Sequence, residues 1–265
     1  MSTEDDLGSA RDSAMEAEFD TVAAWTEEAV RALGHDHAIP AGCRGSGSPA
    51  DLAWIAGGLD LHGDQRFLDS GAGLGGPAAW LSEHLEGRWS GRPVLTEPMV
   101  HAAQSARRLF GFPVAAAASE DLPIATASVD AAWSLGVLCV TAERARMLAQ
   151  LRRVLVPGGR LGLLVLLHAG APLPEEPEGN DFPTRDELEG QIVEAGLRVD
   201  DEVDAARLPG APIAWSERAD RVEEYIARHH RDHPAWQQAA EQDRIIGRLM
   251  GERLITMHLL RTTAV

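Results

Sequence analysis

Apolar positions change period several times along this chain, and each change marks an element. Between residues 15 and 33, Phe19, Val22, Ala23, Ala29, Val30 and Leu33 recur at helical intervals and predict a helix. Residues 34–49 read as a loop around Cys43-Arg44-Gly-Ser-Gly47. Ser48 then has the form of an N-cap, with Pro49 at the first position of a helix over 50–59. Short apolar runs near 66–70, 93–96, 113–117, 129–134 and 159–167 predict strands, separated by helical patterns near 77–86, 98–109 and 141–155. Thr184 and Glu187 form a capping-box pair that opens a further helix, ending at Ala195-Gly196. Leu197 begins a sixth strand and Leu254 a seventh, with helices near 217–230 and 235–250 between them. Strands alternating with helices imply an α/β, mostly parallel sheet covered on both faces.

The expected organisation follows from this pattern. Residues 1–14, polar and acidic, read as a disordered tail. Residues 15–62 form an N-terminal helical cap, 63–204 the core, 205–252 a helical lid insertion, and 253–265 the final core strand.

The run Phe67-Leu-Asp-Ser-Gly71-Ala-Gly73-Leu-Gly75-Gly76-Pro77 is a buried strand, a glycine turn and a helix opening on proline. Such a unit is where nucleotide-like cofactors bind in open α/β sheets. Gly71, Gly73 and Gly76 also satisfy the dinucleotide pattern, which alone is weak. Asp69 weighs against a pyrophosphate, which it would repel, and suits a ligand with an ammonium or sulfonium centre. Glu97 follows the second strand, where an acid can accept hydrogen bonds from both hydroxyls of a ribose.

Further on stand Ser119-Glu-Asp-Leu-Pro123, Ser128-Val-Asp130-Ala-Ala-Trp-Ser134-Leu135 and Arg152-Arg-Val-Leu-Val-Pro157-Gly-Gly-Arg160. In this order and spacing the segments resemble class I S-adenosylmethionine-dependent methyltransferases, over about half the chain. The resemblance implies a Rossmann-like seven-stranded sheet with its last strand antiparallel. It assigns Asp69, Gly71, Gly73 and Gly75 to the methionyl portion of S-adenosylmethionine and Glu97 to its ribose. Pro98 and Met99 would flank the adenine, Ser119 and Glu120 would lie near its edge, and Ser134 and Leu135 would close the site from the fourth strand. The chain departs from the family at Ala118, where an aspartate often binds the adenine amino group. S-adenosylhomocysteine would be the product.

Charge narrows the acceptor. The net charge is −17, and no basic stripe accompanies it, which excludes the footprint that nucleic acid requires. Ser134-Leu-Gly-Val-Leu138 also lacks the Asn/Asp-Pro-Pro-aromatic run of enzymes that methylate nucleic-acid amino groups. All 24 basic residues are arginine, which removes lysine Schiff-base chemistry from consideration. The two cysteines, Cys43 and Cys139, make no disulfide framework, and no signal peptide or membrane-length apolar run is present. The expectation is a soluble cytoplasmic protein with no membrane partner.

Methyl transfer needs an aligned acceptor and, for hydroxyl or carbon acceptors, a base. His168, at the end of the fifth strand, is the leading base candidate, with His37 in the cap beside it. His229, His230 and His233 lack a metal-ligand partner pattern, and no metal is expected. Arg44, Cys139 and Trp215 are the candidate acceptor contacts, with the cap and lid as the two walls of the pocket. A homodimer contact is the other use of those two segments. The leading reading is a methyltransferase acting on O, N or C of a small metabolite, plausibly a secondary one. The alternatives are a methyltransferase fold that uses the cofactor for another reaction such as cyclisation, or as a structural ligand, and behind these a nicotinamide oxidoreductase.

Overall fold

The computed structural model describes residues 4–265, with side chains from Ala17 onward. Seven strands form one sheet: β1 (Phe67–Ser70), β2 (Val94–Thr96), β3 (Val114–Ala115), β4 (Val129–Leu135), β5 (Leu155–His168), β6 (Leu197–Asp204) and β7 (Ile255–Ala264). Their order is β3-β2-β1-β4-β5-β7-β6. Strands β1 to β5 pair in parallel, and β7 runs antiparallel between β5 and β6. The order reverses between β1 and β4, and a ligand crevice opens at such a switch point because the helices after these strands diverge to opposite faces.

On one face α6 (Arg144–Val154) and α7 (Arg185–Glu194) bury Met147, Leu148, Leu151, Leu188 and Ile192 against Leu163 and Val165. On the other face α3 (Pro49–Leu59) covers β4 and β5 through Leu52 and Ile55. A Cβ at Gly162 would stand 2.2 Å from Ile55, so glycine there lets α3 lie directly on β5. Arg261 of β7 fastens α3 from outside, donating to the Trp54 carbonyl at 2.9 Å and stacking 4.0 Å over its ring.

Glycine turn and Pro77 start α4 (Gly76–His84) as the sequence indicates, and α5 (Val100–Phe110) follows β2. The first helix, α1, runs from Glu4 to Leu33, so residues 4–14 continue the helix where a disordered tail is expected. Residues 1–3 lie outside the described residues. The expected loop over 34–49 instead contains a 3-10 turn (His35–His37) and α2 (Ala38–Gly42). Ser48 caps α3 as expected, in a reciprocal pair with Asp51.

Two long helices, α8 (Ile213–His230) and α9 (Pro234–Gly251), form the insertion between β6 and β7. They pack on α1 and α2 rather than on the sheet alone, so cap and lid make one helical layer. Trp25 of α1 stacks on His230 at 4.2 Å and meets His233 edge-on at 5.1 Å, which accounts for two of the lid histidines as packing groups. Among the described residues, no helix is long and apolar enough to cross a membrane.

Candidate functional site

Carboxyl ends of β1, β2 and β4 surround a cavity of about 350 Å³. Gly71 and Gly73 form its base, both with positive φ. A Cβ on Gly71 would lie 2.4 Å from Val137, so this cradle accepts only glycine without displacing its neighbour. Glu97, Pro98 and Met99 form one wall, Ser119 and Glu120 another, and Leu135 a third.

Glu97 is buried, and its carboxylate organises the site. One oxygen accepts from the Gly73 N–H at 2.7 Å, the other from the Met99 N–H at 3.0 Å. Beneath it runs a chain of hydroxyls: Ser70 and Ser119 meet at 2.8 Å, and Ser134 donates to the Ser70 carbonyl at 2.8 Å. Thr141 donates to Glu120.

Asp69 is 1% exposed, and its Oδ2 has no hydrogen-bond partner among the described residues. Burial pushes its carboxyl up to about 7; the Trp133 indole opposes this and the Glu97 charge adds to it. Asp69 does not itself line the cavity, but an unpartnered buried carboxyl oxygen two residues before Gly71 fits a ligand that carries positive charge.

A second cavity of about 930 Å³ opens between cap and lid. Arg44 and Gly45 line both cavities, so the loop after α2 is their common wall. Trp215 and Trp236 line the second from α8 and α9. Arg44 donates to Asp243 at 3.1 Å and lies 3.8 Å from Glu18, bridging cap and lid. Burial raises the Glu18 carboxyl, with Arg44 opposing.

Helix α1 completes the cofactor cavity with Phe19. Next to it, Asp20 accepts from the His101 and Ala102 N–H groups at 2.7 and 3.0 Å, capping α5 from a neighbouring helix. Glu27 accepts from Ser105 and Arg108, both at 2.6 Å. Burial works against the Glu27 charge, but Arg108 and Ser105 outweigh it and hold the carboxyl below its ordinary range. Sequence periodicity identifies Phe19 only as apolar; its place over the glycine loop depends on this docking.

These geometries match known proteins. A methyltransferase-domain family model matches residues 68–163. Residues 68–163 are thus a methyltransferase domain of the class I, S-adenosylmethionine-dependent type. Its cofactor is S-adenosylmethionine. The 27-O-demethylrifamycin SV methyltransferase of Amycolatopsis mediterranei (strain S699) is 27% identical over 186 residues, covering 64% of this chain and 66% of that protein. Methyltransferase GfsG of Streptomyces halstedii is 30% identical over 117 residues, 42% of this chain and 41% of its own. The chain therefore spans less than two thirds of the length of either relative. Among solved structures, the [4+2]-cyclase SpnF superposes with a TM-score of 0.62 at 20% identity, covering 83% of this chain and 84% of that one. The geranyl diphosphate C-methyltransferase from Streptomyces coelicolor A3(2) reaches 0.59 at 14% identity, covering 82% and 76%.

Several residues stand elsewhere than the sequence suggests. Gly75 does not line the cofactor cavity; it caps α4 with positive φ and packs toward Leu95 and Ala106. Ser134 holds β1 to β4 and does not line the cavity either. His168 faces a separate cavity of about 330 Å³ with Arg144, Asp181 and Glu187, and its Nδ1 accepts from Gly170 N–H at 2.9 Å. The connection over 169–184 folds across the strand end, packing Leu173 and Phe182 near Cys139, Leu166 and Leu249. Cys139 belongs to that apolar cluster, donates to the Gly136 carbonyl at 3.2 Å, and is pushed by burial up to about 11. His37 is buried in the cap with Nδ1 3.1 Å from the Gly34 carbonyl, and it does not line the second cavity. Arg44 and Trp215 do line it. Cys43, expected only as a loop residue, also lines it.

Proposed function

We propose that this chain transfers a methyl group from S-adenosylmethionine to O, N or C of a small metabolite, in secondary metabolism. The observation that carries this reading is the pair of cavities sharing Arg44 and Gly45 as one wall: a cofactor site on the glycine loop and an acceptor site under the lid. The relatives named for methylating 27-O-demethylrifamycin SV and geranyl diphosphate support a small acceptor.

When bound, the cofactor supplies an electrophilic methyl group on a sulfonium. The residues of this chain do the rest. Asp69 and the N–H groups of the Gly71–Gly73 turn hold the amino-acid end, and the Glu97 carboxylate receives the ribose hydroxyls. Met99 and Pro98 enclose the adenine, with Ser119 and Glu120 at its edge. Phe19 shields the glycine loop from solvent, and the lid keeps water from the acceptor. His168 and Cys139 stay outside this scheme, because neither lines either cavity.

A cyclisation is the second reading, because the fold is shared with a [4+2]-cyclase. Incubation with S-adenosylmethionine and a panel of hydroxylated and aminated polyketides, read by mass spectrometry, separates the two. A product heavier by one methyl, formed with S-adenosylhomocysteine, supports transfer. A rearranged product of unchanged mass overturns it in favour of cyclisation.

A further inference from the structure

Cap and lid enclose more room than docking one on the other requires. The cavity between them is about 930 Å³, against about 350 Å³ for the cofactor cavity beside it. Protein interiors are otherwise close-packed, with few voids larger than a water molecule. A lid that served only as scaffold would fill this space with side chains.

The residues that leave it open are identifiable. On α8 the larger apolar residues, Val222 and Ile226, pack in a cluster with Ala29, Val30, Ala38 and Ala41 that docks the lid on the cap. Ala219 and Ala227, one turn either side of Glu223 on the same helix, line the cavity with a single methyl each. On α9, Ala239 and Ala240 line it between Trp236 and Asp243. Alanine is the best helix former and needs no ligand to explain it on an outer face. These four are buried or half-buried, and they border cavity where a leucine would fill it.

Depth and rim differ in character. The buried and half-buried lining is mostly apolar, with Val22, Pro40, Ala41, Trp215, Trp236 and Met257 joining the alanines. Its two fully buried polar members are already partnered: Thr26 donates to the Val22 carbonyl at 2.9 Å, and Asp51 caps α3. Charge belongs to the exposed lining, at Asp220, Glu223, Glu224 and Asp243. Trp215 and Trp236 add broad, stiff apolar faces, which match rings better than a flexible chain.

We propose that Ala219, Ala227 and Ala240 set the size of the acceptor, and that its apolar body, of fused rings or a macrocycle, is at least as bulky as the cofactor. This rests on the reading of the cavity as the acceptor site and narrows it within small molecules. An acceptor of one ring leaves most of the apolar wall wet and is not held in one orientation. A bulky one fills the space and brings its reacting atom to the wall shared with the cofactor, at Arg44 and Gly45.

The test uses the full chain and three neutral hydroxylated probes: benzyl alcohol, the steroid digitoxigenin and the macrolactone erythronolide B. Equilibrium dialysis measures probe binding, calorimetry measures S-adenosylmethionine affinity, and mass spectrometry reads methyl transfer. The expected result is saturable binding of at least one bulky probe, with benzyl alcohol at least about tenfold weaker, the scale of burying one apolar side chain. Ala219→Trp and Ala240→Trp, each filling the cavity from one lid helix, weaken the bulky probe by a similar factor. S-adenosylmethionine affinity stays at the parent value in both, which shows that the variants are folded. Benzyl alcohol binding as tightly as the bulky probes, no binding of either bulky probe, or bulky-probe affinity indifferent to both substitutions overturns the proposal. A chain that binds S-adenosylmethionine and methylates benzyl alcohol alone loses only this inference. A chain that fails to bind S-adenosylmethionine loses the methyltransferase reading itself.

Discussion

Gly42 of the cap and Gly76 of the core touch backbone to backbone: a Cβ on Gly76 would stand 2.4 Å from the carbonyl carbon of Gly42. This contact seats α2 on the first turn of α4, and the loop that follows α2 becomes the wall shared by both cavities. The Gly76→Ala substitution has no flexible side chain to push aside, so α2 must move. Overpacking of this kind costs about 1–3 kcal/mol. We expect a lower Tm and weaker S-adenosylmethionine binding together. A variant that melts and binds like the parent would show that the cap docks without this contact.

Cofactor affinity depends on pH through Asp69. The cofactor carries an ammonium at its amino-acid end, which prefers the ionised carboxylate, and that carboxyl titrates at about 7. Binding strengthens as pH rises through that value and is accompanied by proton release. Asp69→Asn flattens this dependence and, at pH above it, weakens binding about tenfold, as does Glu97→Ala through its lost charge-assisted hydrogen bonds. Calorimetry in buffers of different ionisation enthalpy reads both effects; an unchanged affinity in both variants would remove these residues from the cofactor site.

The same carboxyl makes the unligated protein less stable at neutral pH. Asp69 titrates near 3.8 when unfolded and about 7 when folded, so between those values the folded state holds a proton that the unfolded state has released. Stability therefore falls as pH rises across that window and stays at its lower value above it. Asp69→Asn should melt higher than the parent at pH 8 without cofactor, and the two should converge at pH 4. Parallel melting curves across the window would contradict a buried, unpaired acid.

Docking of α1 matters to the cofactor site although the helix precedes the core. Asp20 satisfies two N–H groups at the start of α5. Its replacement by alanine should cost about 0.5–2 kcal/mol, the scale of a lost helix cap, and loosen Phe19 over the glycine loop. Denaturant unfolding measures the first effect and S-adenosylmethionine titration the second. Normal affinity in a destabilised variant would confine Asp20 to stability.

His168 provides the reverse test. Because it faces its own cavity, His168→Ala should leave S-adenosylmethionine affinity and methyl transfer within about twofold, the scatter of an off-site substitution. A large fall in rate with unchanged affinity would return it to the role of base.

Local patterns made most of the core legible. The glycine turn, the acid after β2 and the Ser119-Glu120 pair are consecutive or nearly so, and each lies at the end of a strand whose direction the parallel sheet imposes. Their convergence on one cavity follows from β3, β2 and β1 being adjacent in the sheet. Gly75 and Ser134 belong to the same motifs, yet one serves helix packing and the other strand registry, since neighbouring residues on a strand or turn point to opposite sides.

The sequence by itself determined the Rossmann-like sheet, its cofactor loop and the presence of a helical cap and lid, because each depends on periodicity or on a short run of residues. Only the tertiary structure decided which side chains line the cavity between cap and lid. Placing Phe19, Asp51 and Trp236 around the two cavities, and closing His168 and Cys139 behind the connection over 169–184, requires contacts between segments far apart in the chain. Such contacts are set by how whole faces pack, and no local pattern of apolar and polar residues encodes them.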